Sequence, residues 1–390
     1  MSHKAGVHLP EQPIRHPALF AARNGGIRFT ALSAAGFACL NVRERYEFLA
    51  NRGARFMITA AAPVRVGHTD LFAPRVGLGT AVLGNFLQAV SDADAIAVID
   101  RALASGVRYI DTAPLYGHGL AERRVGRAVA GTSRAGLVVS TKVGRLLRAG
   151  APRDDSQYHD GISFYKDVPA TGPLWDFSYD GVRQSVEESA ERTGVARFDV
   201  LHLHDPDDHL VQAATTAYRA LRDLRAEGTV TAIGAGSNRS GPLTELVRAC
   251  DLDVVLLAGR YTLLDQSAMA DLLPLCEKRG VSVVIGGVLN SGILVDPIPG
   301  AHFNYLPADN AILAKARAIQ QICAKHEVPL AAAAVQFPLA HPLVCTVLIG
   351  PRTIAELDTD LSLFEVEIPP RLWADLRSEG LLGADVPAPA

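Results

Sequence analysis

Four side chains in this 390-residue chain have the types and settings that proton transfer needs. Asp111 closes the apolar run VRYID, and Tyr116 follows in DTAPLYG. Lys142 closes LVVSTK, and His204 closes FDVLHLH. A free tyrosine has a pKa of about 10 and is a poor acid or base at neutral pH. A lysine ammonium beside the phenol favours the phenolate and lowers that value. A buried aspartate would keep the lysine charged and oriented. A histidine could bond the substrate oxygen or share the proton. Together they describe a tyrosine that exchanges a proton with a carbonyl or a hydroxyl. Each residue also has a plainer reading: a helix cap for the aspartate, packing for the tyrosine, a solvated strand end for the lysine, a core position for the histidine. Their convergence on successive strand ends is what favours the chemical one.

Converging them requires a particular frame. Apolar, strand-like runs occur at 75–79, 107–111, 137–142, 198–204, 230–234, 253–258, 281–286 and 344–350, with amphipathic, helix-like stretches between them. Strands apolar on both faces point to a parallel sheet covered by helices. Eight β/α units over some 300 residues fit a (β/α)8 TIM barrel, whose strand ends meet at one mouth. VRVGHTD and the residues after it read as an N-terminal hairpin ahead of the first strand. An open doubly wound sheet is the runner-up, but GLGTAVLG has Val82 where the dinucleotide fingerprint needs its third glycine. The connections over 143–179 and 287–308 are long, and both follow strand C-terminal ends. Loops of that length are usually lids or binding loops.

Composition bounds the partners. The chain is 48% hydrophobic and 20% charged with a net charge of −3, which excludes overall disorder and argues against nucleic acid. Five scattered cysteines, an odd number without a C-x-x-C pair, read as reduced thiols of a cytoplasmic protein. No apolar run is long enough to span a membrane. Residues 1–60 carry eight Lys/Arg against three acids. Residues 1–63 are expected to form a poorly ordered extension, with a targeting segment as the alternative. Residues 64–390 hold the barrel and a C-terminal tail. The cluster HLHDPDDH invites a metal reading, but hydride transfer needs no metal, and none is expected. His202 is expected one layer below the mouth.

DTAPLYGHGLAE, STKVGR, the strand ending in His204, AEGTVTAIGAGSN, NSGIL and IGPRTIAEL together resemble the aldo-keto reductase superfamily, in its order, over about 64–362. The resemblance implies a barrel that binds NAD or NADP without a Rossmann domain, with Asp111, Tyr116, Lys142 and His204 as its catalytic tetrad and Tyr116 as general acid/base. It places Gly79 and Thr80 near the nicotinamide and Ser237 and Asn238 at the carboxamide. Leu289, Ser291 and Gly292 fall over the pyrophosphate, and Arg352 and Thr353 near the adenosine phosphate. The sequence departs from the family pattern at Ala258 (usually Gln), Gly286 (often a stacking Tyr) and Asp205 (usually Trp). Glu356 stands where an arginine commonly meets the 2′-phosphate, and Asp360 stands at a later asparagine. A carboxylate repels that phosphate and accepts from a ribose hydroxyl, so NAD is favoured over NADP. Arg352 argues the other way.

The departures are similar to the branch of bacterial aldose 1-dehydrogenases and pyridoxal 4-dehydrogenases. That branch implies oxidation of an aldose hemiacetal at C1 to a lactone. Pyridoxal oxidation, or NADPH-dependent aldehyde or ketone reduction, is the alternative, and a non-catalytic nicotinamide-sensing subunit is disfavoured by the intact tetrad. Asp205 and Trp175 are the candidates for contact with a sugar or aldehyde substrate. A monomer or homodimer is expected.

Overall fold

Alternation along each strand decides which side chains face inward. In the computed structural model, which describes residues 63–389, the eight barrel strands are β1 (Val76–Gly79), β2 (Tyr109–Asp111), β3 (Val138–Val143), β4 (Val200–His204), β5 (Ala232–Ser237), β6 (Val254–Ala258), β7 (Ser282–Gly286) and β8 (Val344–Ile349). Neighbours in sequence are neighbours in the sheet, all pairs are parallel, and β8 pairs with β1 to close the barrel. Tyr109, Val138, Val200, Ala232, Val254 and Val284 form one buried cluster inside the lower barrel. Leu78, Ile110, Val139, Leu201, Ile233 and Val255 belong to the larger core shared with the helices. With a side-chain period of two, Asp111 follows Tyr109 inward, Lys142 follows Val138 and Ser140, and His204 follows Val200 and His202. The same arithmetic that fills the bottom of the barrel therefore aims the polar strand ends into its mouth.

The expected hairpin is present. Val64–Arg65 pairs antiparallel with Phe72–Ala73, and Val66 and Ala73 pack into the inner cluster, covering the N-terminal end of the barrel. The extension expected over 1–63 lies, but for Pro63, outside the described residues. Cys250, Cys276, Cys323 and Cys345 are free and buried. No described helix is long and apolar enough to cross a membrane.

The fifth strand differs from its sequence expectation. It runs to Ser237 rather than ending at 234, so Ala235, Gly236 and Ser237 belong to the strand as well. The reason is steric. A Cβ on Gly234 would lie 2.0 Å from the Val254 carbonyl oxygen and 3.0 Å from His202 Nδ1. Gly234 leaves room for the Val254 carbonyl and for the imidazole of His202, which is fully buried below the mouth, as expected.

The two long connections carry small sheets of their own. Arg145–Arg148 pairs antiparallel with Gly172–Trp175, placing Arg145 opposite Trp175. His302–Phe303 pairs with Leu306–Pro307, and Tyr305 at that turn has a positive φ of 67°.

Candidate active site

Asp111 and Lys142 meet where β2 and β3 end. Lys142 Nζ donates to Asp111 Oδ2 at 2.5 Å and to the Thr112 carbonyl at 2.9 Å. Ser140 Oγ donates to the other carboxylate oxygen at 2.6 Å. Both members of the ion pair are buried. The ammonium lies 4.6 Å from the centre of the Tyr116 ring, and the His204 ring stands edge-on to that ring at 5.7 Å. The four residues expected to act together are thus in one place, brought there by β2, β3, β4 and the turn after β2.

One expectation about them is corrected. Lys142 does not set the phenol below its ordinary pKa. Burial, with the charges of Asp111 and Asp205, holds Tyr116 well above it, and Arg145 opposes this only in part. The lysine's charge is matched at 2.5 Å by Asp111, so little of it is left for the phenol. Burial and the charges of Arg145 and Lys142 push His204 well below the usual imidazole range, so it is neutral at neutral pH.

Arg145 is the residue that sequence reasoning missed. It was visible in STKVGR, three positions beyond Lys142, but nothing in the sequence distinguishes a buried arginine from a solvated one. Its guanidinium stacks over Trp175 at 3.8 Å and donates to Asp205 Oδ2 at 2.9 Å. Asp205 and Trp175, the candidates for substrate contact, both meet this guanidinium. His209 goes to Trp175 and Phe177 instead, and His202 to the barrel interior. HLHDPDDH is therefore not drawn together around one point, and no metal-holding group of His, Cys, Asp or Glu occurs among the described residues.

Beside Tyr116 opens a cleft of about 1130 Å³, above the ~300–1,000 Å³ of most small-molecule sites. Gly79, Thr80, Leu289, Ser291, Gly292, Arg352 and Glu356 line it, as do Asp111, Tyr116 and Asp360. Ser237 is buried with its hydroxyl on Asp207 at 3.0 Å, Asn238 is exposed after β5, and Thr353 caps the helix Ile354–Leu363 by accepting from the Glu356 amide. These three, like Lys142, His204, Asp205 and Trp175, are not among the residues that line this cleft.

The lining is largely apolar, with Arg352, Glu356 and Asp360 grouped toward one end. Ala258 and Gly286 leave the floor open, and a Cβ on Gly286 would meet nothing closer than 3.7 Å. Arg352 Nε is buried without a partner, a cation's donor awaiting an acceptor. Glu356 accepts from the Arg352 amide at 2.7 Å. Asp360 shares its end of the cleft, and burial and the Glu356 charge push its carboxyl up to about 7. Phe86 and Tyr305, also unforeseen, come from separate loops and touch edge-to-face at 5.1 Å along one wall.

A parallel eight-stranded barrel with a polar constellation at its C-terminal mouth and a long cleft beside it defines a class of barrel enzymes. Residues 75–379 match the Aldo/keto reductase family, and the chain belongs to that family of NAD(P)-dependent oxidoreductases. It is 42% identical to a D-threo-aldose 1-dehydrogenase of Pseudomonas sp over 315 residues, 79% of this chain and 94% of that one. It is 40% identical to a pyridoxal 4-dehydrogenase of Microbacterium luteolum over 338 residues, covering 81% and 97% of the two chains. Among solved structures, an aldo-keto reductase from Bacillus halodurans in its holo form superposes with a TM-score of 0.63 at 25% identity, covering 83% of this chain and 97% of that one.

Proposed function

We propose that this chain oxidises the hemiacetal form of an aldose at C1, giving a lactone, with NAD as the hydride acceptor. The observation that carries the reading is the buried Asp111–Lys142 pair set against the Tyr116 ring at the head of the cleft. The similarity to a D-threo-aldose 1-dehydrogenase supplies the substrate class.

The cleft fits a dinucleotide. Its open floor at Ala258 and Gly286 would take the nicotinamide, Ser291 and Gly292 the pyrophosphate, and Arg352 the remaining negative charge. Bound there, nicotinamide supplies the hydride acceptor for C1. Glu356 and Asp360 put two carboxylates at one end, which suits a ribose hydroxyl and repels a 2′-phosphate.

The chain's own residues handle the proton. Tyr116 takes it from the C1 hydroxyl as the C–H bond breaks, and the carbon–oxygen double bond forms with the electrons of the O–H bond. Lys142, fixed by Asp111 and the Thr112 carbonyl, places positive charge beside the phenol as it becomes phenolate. Neutral His204 offers the substrate oxygen a hydrogen bond without competing for the proton. In reduction the same phenol donates.

A second reading has a specific basis. At 40% identity to a pyridoxal 4-dehydrogenase, the chain could act on the cyclic hemiacetal of pyridoxal, which presents the same H–C–OH unit. Initial rates with L-fucose, L-galactose, D-arabinose, D-galactose and pyridoxal, each with NAD and NADP and followed by nicotinamide absorbance, separate the two. An aldose should be oxidised fastest and with NAD. Silence on all five substrates sinks both readings.

A further inference from the structure

Arg145 is a buried charged group at the barrel mouth that neither the tetrad nor the dinucleotide cleft uses. Arg145 is 4% exposed, yet it carries a full charge at the mouth of the barrel. It is held flat on Trp175, its NH2 group is 2.9 Å from Asp205 Oδ2, and its NH1 group is 3.9 Å from Asp154 Oδ2. Its Nε is buried with no partner. A stacked and bidirectionally paired guanidinium of this kind is a fixed fork, not a mobile surface charge.

What the fork holds is Asp205. This residue follows His204 directly and has a positive φ of 45°, a left-handed conformation that non-glycine side chains adopt at a cost. The Asp205 amide donates to the Gly236 carbonyl at 2.8 Å, which fixes the turn. The carboxylate then lies 3.5 Å from His204 Nε2 and remains half-exposed. Its charge also reaches Tyr116 and Tyr305, both of which line the cleft. Backbone strain, an arginine clamp on Oδ2 and partial exposure together leave Asp205 Oδ1 without a hydrogen-bond partner among the described residues, beside His204.

We propose that Arg145 is a positioning residue that holds Asp205 as the acceptor for the substrate hydroxyl adjacent to the oxidised carbon, so that the site selects vicinal diols. The inference rests on the hemiacetal-oxidising reading above. A carboxylate accepts from a hydroxyl, and the guanidinium, set between Asp205 and Asp154, fixes where that acceptor stands. A substrate with no hydroxyl beside the reacting carbon leaves Asp205 without its partner.

The test pairs a change in the substrate with a change in the protein. kcat/KM is measured for the fastest aldose of the panel and for its 2-deoxy analogue, with wild type, Asp205→Asn and Arg145→Lys. A hydrogen bond to a charged acceptor predicts a loss of about 10- to 100-fold for the 2-deoxy sugar with wild type. With Asp205→Asn the ratio should collapse to about threefold or less, and Arg145→Lys should fall between, because it keeps charge but not the fork. A merely structural role for Arg145 would lower both substrates equally and leave the ratio unchanged. An unchanged ratio in both variants overturns the inference. Cofactor titration by protein fluorescence reports folding, and Asp205→Asn decides alone if Arg145→Lys does not fold. If wild type oxidises no aldose, the reading beneath fails as well. If it oxidises one in a Tyr116-dependent way but accepts the 2-deoxy sugar equally, only this inference fails.

Discussion

Lys142 Nζ lies 2.5 Å from Asp111 Oδ2, with both side chains buried, and 4.6 Å from the centre of the Tyr116 ring. The ammonium therefore belongs first to the carboxylate and only second to the phenol. Burial first, and then the charges of Asp111 and Asp205, keep the Tyr116 phenol protonated, and a lysine already matched by Asp111 does little to offset them. This order also means that the pair orients the lysine more than it activates the tyrosine, and that breaking it changes stability and acidity together.

Asp111→Asn should expose that division. Removing one partner of a buried pair leaves the other uncompensated, at a cost of about 3–5 kcal/mol. Urea denaturation should show a midpoint lowered accordingly. Asp111 also raises the Tyr116 pKa, so whatever oxidation activity remains should begin at lower pH than in wild type. A variant with unchanged stability would mean that the pair is not buried as described.

The pH profile carries the same logic. With the phenol held above its usual value, Tyr116 is protonated at neutral pH, ready to donate and not to accept. Oxidation should rise across roughly pH 7 to 10, since each unit brings more phenolate, while reduction should stay flat through neutrality. Steady-state rates in both directions measure this. An oxidation rate that is flat over that range, with chemistry shown to limit it, would contradict the raised pKa.

Two glycines of one strand should behave differently. A Cβ at Gly234 would lie 2.0 Å from a backbone oxygen, whereas at Gly236 its nearest contact is Leu256 Cβ at 3.5 Å. Gly234→Ala should destabilise by about 1–3 kcal/mol or more through forced backbone shifts, and Gly236→Ala much less. Thermal denaturation of the two side by side tests whether the close approach of the Val254 carbonyl to Gly234 is what requires glycine there.

Asp360 should make the cofactor preference depend on pH. Its carboxyl titrates at about 7, so below that value it is neutral and above it charged. Discrimination against NADP should therefore grow as pH rises through neutrality, seen as a rising ratio of KM for NADP to KM for NAD. Asp360→Asn should flatten the dependence while retaining the contribution of Glu356.

Much of this was legible in the sequence, for physical reasons. Apolar runs spaced by amphipathic stretches specify a parallel barrel, and a polar residue at the end of such a run can only sit at the mouth, which placed Asp111, Lys142 and His204. What is not legible shares a cause. The apolar run at 230–234 shows no end beyond Gly234, because the small residues that continue β5 to Ser237 carry no strand signal of their own. The contact of the Ser237 hydroxyl with Asp207, from the loop after β4, is equally silent in the sequence. Arg145 and Tyr305 were missed because their importance comes from partners distant in sequence, namely Asp205 and Phe86. Strand chemistry is local and readable, whereas loop-to-loop contacts are not.

The central claim is that Tyr116 exchanges the proton. Tyr116→Phe removes one oxygen and keeps the ring against Lys142 and His204. Turnover of the best aldose should fall by about 100- to 10,000-fold, while the dissociation constant for NAD, read by fluorescence titration, changes less than about twofold. Turnover within a few-fold of wild type, with cofactor binding intact, would contradict the account.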